Sequence, residues 1–169
     1  MPQRIPETNG NLNTTICIRP FNLQDEEGII ELWHKCNLIR PQNDPKLDIK
    51  RKLKADPELF LVGLVAGKIV ASVMGGYDGH RGWINYLAVD PEHWRKGLGK
   101  QMMLAVEEKI RFKGSPKINL QVRTDNLKVV SFYEAIGYKM DEVVSMGKRF
   151  VDDQVLTENS ERNVRRDPA

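Results

Sequence analysis

The sequence predicts one α/β domain in which a mixed, mostly antiparallel sheet carries helices on its faces. Apolar segments between residues 57 and 90 are separated by short glycine-containing turns, a pattern typical of antiparallel hairpins. An amphipathic helix then leads into a further apolar segment, which is typical of a parallel crossover. The length of 169 residues suits one domain with its own core.

The N-terminal part of the chain predicts one strand and two helices. Residues 14–21 alternate and contain β-branched side chains, so they predict a first strand. Residues 22–39 predict a helix, because Asn22 can cap it, acidic residues fill its first turn and apolar residues recur on one face. The proline-containing segment 40–45 ends this helix, and a short basic helix follows at 46–54.

The central part predicts strands at 57–65, 69–78 and 83–90, followed by a helix of roughly four turns. Apolar residues recur at every fourth position of this helix, which indicates a buried stripe. The residues of the stripe are Leu98, Met102, Val106 and Ile110.

The C-terminal part predicts a strand at 117–122, a helix within 125–138, and a final pair of strands within 138–151. The polar residues that flank the domain have little to bury. We therefore expect a flexible N-terminal arm, the domain and a polar C-terminal tail, which are residues 1–13, 14–151 and 152–169.

Composition excludes several classes of protein. The net charge of +3 is too mild for a nucleic-acid-binding domain. No apolar segment is unbroken enough to predict a membrane span, and the N-terminus lacks the apolar stretch of a signal peptide. Cys17 and Cys36 have neither disulfide nor metal-ligand spacing, so we expect no metal. These features predict a cytoplasmic protein without nucleic-acid or membrane partners.

The sequence RKGLGK at residues 95–100 joins the last hairpin strand to the long helix. A helix N-terminus offers unpaired N–H groups and the positive end of the helix dipole, and Gly97 and Gly99 let a ligand approach the backbone. The basic side chains add charge that suits a pyrophosphate. The motif departs from a P-loop at Gln101 and from a dinucleotide fingerprint at Met102. By itself it is equally consistent with a plain strand-to-helix turn.

Two stretches in this order, LAVDPEHWRKGLG and NLKVVSFYEAIGY, resemble the signature motifs of the GNAT superfamily of acetyltransferases. Val129 stands where the second family motif has alanine. The segments LIRPQNDP and VMGGYDGHRGWINYL are similar to one bacterial subgroup, the YpeA-type acetyltransferases. The resemblance covers the predicted domain. It implies the GNAT fold, with about four helices and a sheet that is splayed between the strands at 83–90 and 117–122.

The resemblance also implies acetyl-CoA as the acetyl donor. Its pantetheine arm would pair with the backbone of the last hairpin strand, and its pyrophosphate would lie on N–H groups of the glycine turn. Trp94 stands where the family has glutamine or arginine. Because the implied contacts are mainly with the backbone, we expect the turn to tolerate this departure, without the side-chain contact that the family residue would make. The implied residues are Leu87, Ala88 and Val89 for the pantetheine, Asn126 near the thiol end, and Arg95, Lys96, Gly97, Leu98, Gly99 and Lys100 for the pyrophosphate.

The resemblance implies Tyr133 as the acid that protonates the departing thiolate. The alternative for Tyr133 is a structural one, a tyrosine packed on a buried helix face. The donor to the developing oxyanion would be a backbone N–H near Leu87 or Ala88.

The general base is less well defined. Some ribosomal-protein acetyltransferases of the superfamily carry glutamate where Gln121 stands, and an amide does not act as a base. Asp78 and His80 are candidate substitutes that could relay a proton through water. Residues of these types are also common in hairpin turns, which is the alternative.

The sequence thus predicts an N-acetyltransferase that moves an acetyl group to a primary amine by direct attack in a ternary complex. The acceptor is left open between a protein N-terminus, a lysine and a small amine. Arg40, Asn43 and Asp44 are candidates for acceptor recognition, with ordinary loop chemistry as the alternative. The alternative function is a non-catalytic acetyl-CoA-binding module. A monomer and a homodimer are both consistent with the sequence.

Overall fold

A computed structural model of the chain describes residues 16–153. The described part forms a five-stranded sheet in the order β1–β2–β3–β4–β5, with four α-helices. The strands are β1 (Cys17–Pro20), β2 (Phe60–Val65), β3 (Lys68–Tyr77), β4 (Gly82–Val89) and β5 (Ile118–Leu120). The helices are α1 (Glu26–Lys35), α2 (Pro45–Lys52), α3 (Leu98–Phe112) and α4 (Leu127–Ala135). This arrangement confirms the predicted mixed fold with four helices.

The sheet is antiparallel from β1 to β4 and parallel between β4 and β5. The parallel pairing joins only Gly82–Ile84 to Ile118–Leu120. Strand β4 continues to Val89, so the two strands separate after Ile84. The separation confirms the predicted splay, and it leaves one backbone edge of β4 open.

Apolar side chains cover both faces of the sheet. Helices α3 and α4 pack on one face, where the core includes Leu61, Val73 and Val106. Helices α1 and α2 pack on the other face, where the core includes Trp33 and Phe60. Each fully buried side chain of this size contributes about 1.5–3 kcal/mol of burial free energy. The two cores fix the helices that flank the open edge of β4.

Glycine in β3 allows α3 to lie close to the sheet. A Cβ atom built on Gly75 would stand 2.5 Å from Cγ2 of Val106 and 3.1 Å from Cδ1 of Ile110. The 2.5 Å approach is too short for an alanine unless Val106 or α3 shifts, and the 3.1 Å approach is tighter than most contacts of a Cβ atom. The helix position therefore depends on the absence of a side chain at this point.

The predicted pair of strands within residues 138–151 is wrong, because the structure gives this segment no strand pairing. Strand β5 has only three residues, so it offers a short edge on which to extend the sheet. The segment is attached to the β5 region through hydrogen bonds from Lys117 to Asp141 and from Gln121 to Ser145. Its apolar side chains are exposed: Met140, Val143, Val144, Met146 and Phe150.

The predicted arm at 1–13 and all but the first two residues of the predicted tail at 152–169 lie outside the described residues, so both stay predictions. Asp153, at the start of the tail, is 3% exposed and lies on α2. It accepts two hydrogen bonds from the Arg51 guanidinium, at 2.6 and 2.8 Å. None of the helices described between residues 16 and 153 is long and apolar enough to cross a membrane.

We expect Gly75→Ala to lower the free energy of unfolding by about 1–3 kcal/mol, because the added methyl group overlaps α3. Gly76→Ala is the matched control, since a Cβ at Gly76 meets nothing within 4 Å. Urea unfolding of both variants measures the difference. Equal stability of the two variants would contradict the proposed close packing of α3.

Candidate active site

The glycine turn between β4 and α3 forms a concave arrangement of backbone. Arg95 and Gly97 have φ values of 61° and 75°, in the left-handed region, whereas Lys96 between them does not. Such alternation makes successive N–H groups converge into an anion-binding nest. A Cβ on Gly97 would meet nothing within 4 Å, so the space beside it is open. The turn therefore has a backbone shape that suits an anion, and pyrophosphate binding there stays a prediction.

The N-terminus of α3 follows the turn without a side-chain cap. Gly97 occupies the cap position and contributes no side-chain hydrogen bond, whereas Asp44 and Asn126 cap α2 and α4. The first N–H groups of a helix have no partner within the helix. Exposed basic side chains surround these groups, namely Arg95, Lys96 and Lys100. Backbone donors and positive charge together fit a pyrophosphate.

Gly99 has a packing role that the sequence did not predict. A Cβ on Gly99 would lie 3.2 Å from the ring of Phe132 on α4 and 3.7 Å from Val89 on β4. Its small size therefore allows close packing of α3 against α4, and a role in ligand binding stays a prediction for Gly99. This contact brings the helix that carries Tyr133 to the glycine turn.

The open edge of β4 presents alternate residues to the splay. Asp90 donates its N–H to the carbonyl of Val70 on β3 at 2.8 Å. Because successive residues of a strand point their polar groups to opposite sides, Ala88 also points toward β3, and Leu87 and Val89 point away from it. The N–H and carbonyl of Ala88 are thus directed toward β3, and a cofactor contact or an oxyanion contact stays a prediction for Ala88.

Leu87 and Val89, the two residues at the open edge, differ in which backbone groups are available to a ligand. The Val89 carbonyl accepts hydrogen bonds from Nε1 of Trp94 at 2.6 Å and from Sγ of Cys36 at 3.3 Å. Burial raises the pKa of the Cys36 thiol, so this cysteine is a donor and not a thiolate nucleophile. Trp94, which lies in the turn after β4, thus binds the backbone of β4. The N–H groups of Leu87 and Val89 and the carbonyl of Leu87 are the groups left to face a ligand.

Tyr133 lies at the edge of the same core and is 8% exposed. Its ring makes edge-to-face contacts with Phe132 and Tyr138, with centroid distances of 5.1 and 5.5 Å. Burial raises the pKa of Tyr133 to about 12. The phenol therefore keeps its proton at neutral pH and is a potential acid.

Asn126 acts as the cap of α4, where its side-chain oxygen accepts from the N–H of Val129 at 3.4 Å. The cap fixes the start of the helix that carries Tyr133. A contact with the thiol end of a cofactor stays a prediction for Asn126.

Asp78 and His80 lie in the hairpin between β3 and β4. The Asp78 carboxylate accepts hydrogen bonds from the N–H groups of Arg81 and His80 and from Nε1 of Trp83. These bonds, the one from Arg81 first, lower the pKa of Asp78 to about 2. Gly82 follows the hairpin, and five further residues along β4 reach Leu87, a distance of roughly 15 Å. This placement favours a turn role, and a base role stays a prediction.

The candidate acceptor residues form the start of α2. Asn43 donates its backbone N–H to the carbonyl of Arg40 at 3.0 Å, which closes the loop. Asp44 caps α2 by accepting from the N–H groups of Lys46 and Leu47. The side chain of Asn43 donates to Asp48 at 3.4 Å. Both Asn43 and Asp44 therefore have structural contacts, and acceptor binding stays a prediction for all three residues.

Sequence reasoning missed Asp48 and Tyr86. Asp48 accepts a hydrogen bond from the Tyr86 hydroxyl at 2.6 Å, which ties α2 to the middle of β4. Tyr86 precedes Leu87, so the loop of the acceptor candidates and the open edge of β4 meet at this residue. The only signal in the sequence was the position of Tyr86 beside the implied pantetheine strand.

The sequence profile of the family described as "Acetyltransferase (GNAT) family" matches residues 26–138, which is more than half of the chain. The chain belongs to this family. An acetyltransferase of Sodalis glossinidius is 51% identical over 138 residues, which cover 81% of this chain and 97% of that protein. Like its relatives, the protein is an N-acetyltransferase. Membership of the YpeA-type subgroup stays a prediction.

Solved structures share the fold. Ard1 from Thermoplasma volcanium has a TM-score of 0.67 at 28% identity, covering 78% of this chain and 84% of that one. The structure of AAC(6')-Iy in complex with the bisubstrate analogue CoA-S-monomethyl-acetylneamine has a TM-score of 0.68 at 17% identity. The second match covers 80% of this chain and 99% of that one, and it supports the fold alone.

We expect Asp78→Asn and His80→Gln to change kcat by less than about twofold, because the hairpin lies away from the open edge of β4. A general base would contribute about 10²-fold or more. Steady-state rates between pH 6 and 9 distinguish the two roles. Loss of the acidic limb of the rate profile in either variant would establish the base role.

Proposed function

We propose that the protein transfers an acetyl group from acetyl-CoA to a primary amine by direct attack within a ternary complex. One observation carries this proposal: Leu87, Val89 and Tyr133 belong to one core on the α3 face of the sheet, and β4 continues past its pairing with β5 to the turn that holds the nest at Arg95–Gly97. The contact of Gly99 with Phe132 brings the helix that carries Tyr133 to this turn.

The proposed donor site uses backbone groups that the fold leaves without partners. The N–H groups of residues 95–100 would bind the pyrophosphate, and the side chains of Arg95, Lys96 and Lys100 would add charge. Leu87 and the N–H of Val89 would pair with the pantetheine arm. The bound cosubstrate supplies an acetyl group already activated as a thioester. No group of three or more potential ligands for a metal ion is found within residues 16–153.

Two groups of the chain would act on the reacting atoms. The Leu87 N–H would donate to the acyl oxygen, where negative charge develops during attack. The Tyr133 hydroxyl would hold a proton for the departing sulfur. Partial burial raises the pKa of the Cys36 thiol, which disfavours a covalent acetyl-cysteine route and supports direct attack.

The proposed acceptor enters beside α2, on the opposite side of β4 from the nest. The candidates Arg40, Asn43 and Asp44 lie at this border, and the hydrogen bond between Asp48 and Tyr86 joins it to β4. A protein N-terminus, a lysine and a small amine all remain within the proposal. A panel of acceptors assayed by release of free CoA tests it, and release no faster than hydrolysis with every acceptor would refute it. Cytoplasmic location and the choice between monomer and homodimer stay predictions.

We expect Tyr133→Phe to lower kcat by about 10²-fold or more while the dissociation constant of acetyl-CoA changes little. Isothermal titration and steady-state kinetics measure the two quantities. Equal losses of binding and turnover would show that Tyr133 is structural. Since burial raises the pKa of this acid above the ordinary value of about 10, the proton is retained as pH rises. The rate should therefore show no descending limb near pH 10 that depends on Tyr133.

We expect Gly97→Asp to weaken acetyl-CoA binding by about tenfold or more, because a side chain and a negative charge enter the nest. Gly67→Asp is the matched control. Gly67 has a φ of 77° and open space around its Cβ position, so the backbone strain is similar but the site lies in the turn between β2 and β3. Similar melting temperatures with unequal affinities would support the donor site. Unchanged affinity in Gly97→Asp would exclude it.

A further inference from the structure

Strand β4 contains a bulge at Tyr86. Ala88 lies opposite Ser72 and Asn85 lies opposite Met74, so two residues of β4 face one residue of β3. Tyr86 has a φ of 50°, in the left-handed region. For a bulky aromatic residue this conformation is rare and costs about 1–3 kcal/mol, so the surrounding structure must hold it.

The bulge reverses which face of the sheet the later residues occupy. Ile84 packs on the α3 face, so regular alternation would place Tyr86 on that face as well. Instead Leu87 and Val89 pack there, and Tyr86 packs against α1 on the opposite face. The extra residue therefore decides which backbone and side-chain groups of β4 reach the open edge.

Contacts from three other elements hold Tyr86. Its ring stacks on Trp33 of α1 with a centroid distance of 4.1 Å. Its hydroxyl donates to Asp48 of α2 at 2.6 Å. Its carbonyl accepts from the Ser72 hydroxyl of β3 at 3.2 Å. Burial first, and the Asp48 carboxylate second, raise the pKa of Tyr86, so the phenol remains a donor.

The Ser72 contact determines the direction of the neighbouring N–H group. Nε1 of Trp33 donates to Oγ of Ser72 at 2.9 Å, which leaves the serine proton for the Tyr86 carbonyl. In a planar trans peptide the carbonyl and the following N–H point in opposite directions. With the Tyr86 carbonyl held toward β3, the Leu87 N–H points into the opening of the sheet.

We propose that Ser72 and Asp48 are positioning residues that hold Tyr86 by its carbonyl and its phenol and thereby aim the Leu87 N–H at the acyl oxygen of the bound thioester. The proposal rests on the proposed acetyl transfer, in which this N–H is the donor to the developing charge. Neither positioning residue touches the reacting atoms. Asp48 accepts hydrogen bonds from Arg51 at 3.1 Å and from Asn43 at 3.4 Å. The side of the site where the acceptor candidates lie therefore helps to orient the Leu87 N–H.

Three variants test the network. Ser72→Ala removes the donor to the Tyr86 carbonyl, and Tyr86→Phe removes the bond to Asp48 without removing the ring. Asp48→Asn keeps an acceptor oxygen for the phenol, whereas Asp48→Ala does not. Tyr77→Phe is the matched control, because the Tyr77 hydroxyl bonds the Gly79 carbonyl at 3.1 Å in the distant hairpin.

Two measurements do not depend on turnover. The scalar coupling between the amide and α protons of Tyr86 reports its φ directly in the ligand-free protein. We expect it to move toward the extended value in Ser72→Ala and Tyr86→Phe. The infrared stretch of [1-¹³C]acetyl-CoA reports hydrogen bonding at the thioester carbonyl. We expect its shift to lower frequency on binding to shrink in both variants and to persist in Tyr77→Phe.

Kinetics supply the third measurement, at temperatures well below each variant's melting temperature. Loss of one oxyanion donor costs about 10²–10³-fold in kcat, and a misdirected donor should cost about tenfold. We expect that loss in Ser72→Ala, Tyr86→Phe and Asp48→Ala, with the KM for acetyl-CoA within about twofold of wild type. Asp48→Asn should stay near wild type, a rescue that a purely electrostatic role of Asp48 would not give.

Unchanged coupling and unchanged carbonyl frequency in both Ser72→Ala and Tyr86→Phe would overturn the proposal. An equal kcat loss in Tyr77→Phe would also overturn it, because the effect would then be general. If the wild type transfers acetyl to no acceptor while the coupling and the carbonyl frequency respond as expected, the proposed function fails and the positioning network stands.

Discussion

The early end of the pairing between β4 and β5 is the constraint on which the rest of the site depends. The two strands are joined over three residue pairs only, and β4 then continues alone. Backbone groups without partners are costly when water is excluded, so each must find another acceptor or donor. The Val89 carbonyl has partners within the chain, because Trp94 and Cys36 donate hydrogen bonds to it. The structure described for residues 16–153 shows no such contact for the N–H and carbonyl of Leu87, and these are the groups that we propose pair with a strand-like ligand.

The same constraint explains why strain is stored in β4. In a regular strand, the alternation of side chains between the two faces of the sheet would determine which face Leu87 occupies. The bulge at Tyr86 moves Leu87 to the other face. A left-handed tyrosine is unfavourable alone, so helices α1 and α2 and strand β3 each contribute one contact to it. The two cores, on opposite faces of the sheet, therefore position different parts of the candidate site. The α3 face places the glycine turn and Tyr133, whereas the α1 face fixes the backbone between them.

The features that could be predicted from the sequence are those that local sequence patterns determine. The element order follows from alternation, helical periodicity and turn residues, and the glycine turn follows from its position between two motifs. Residues 138–151 alternate as a strand does, but alternation does not supply a partner edge. The roles of Ala88 and Gly99 depend on hydrogen-bond direction and on Phe132, 33 residues away from Gly99 in the sequence. Tyr86 is hidden for a similar reason, because contacts distant in the sequence enforce its conformation.

Tyr86 also relates the two halves of the reaction. Its phenol reaches α2, whose start carries the acceptor candidates, and its carbonyl fixes the peptide that presents the Leu87 N–H. Asp153 extends this connection, since it binds Arg51 and accepts from the Asp44 N–H at 3.0 Å. A substitution near the acceptor candidates can thus alter the direction of the Leu87 N–H through Tyr86, which is hydrogen-bonded to Asp48 and to Ser72. If the proposed network holds, residues 40–44 are free to vary only where they leave Asp48 in place, because the direction of the Leu87 N–H then depends on its hydrogen bond with Tyr86.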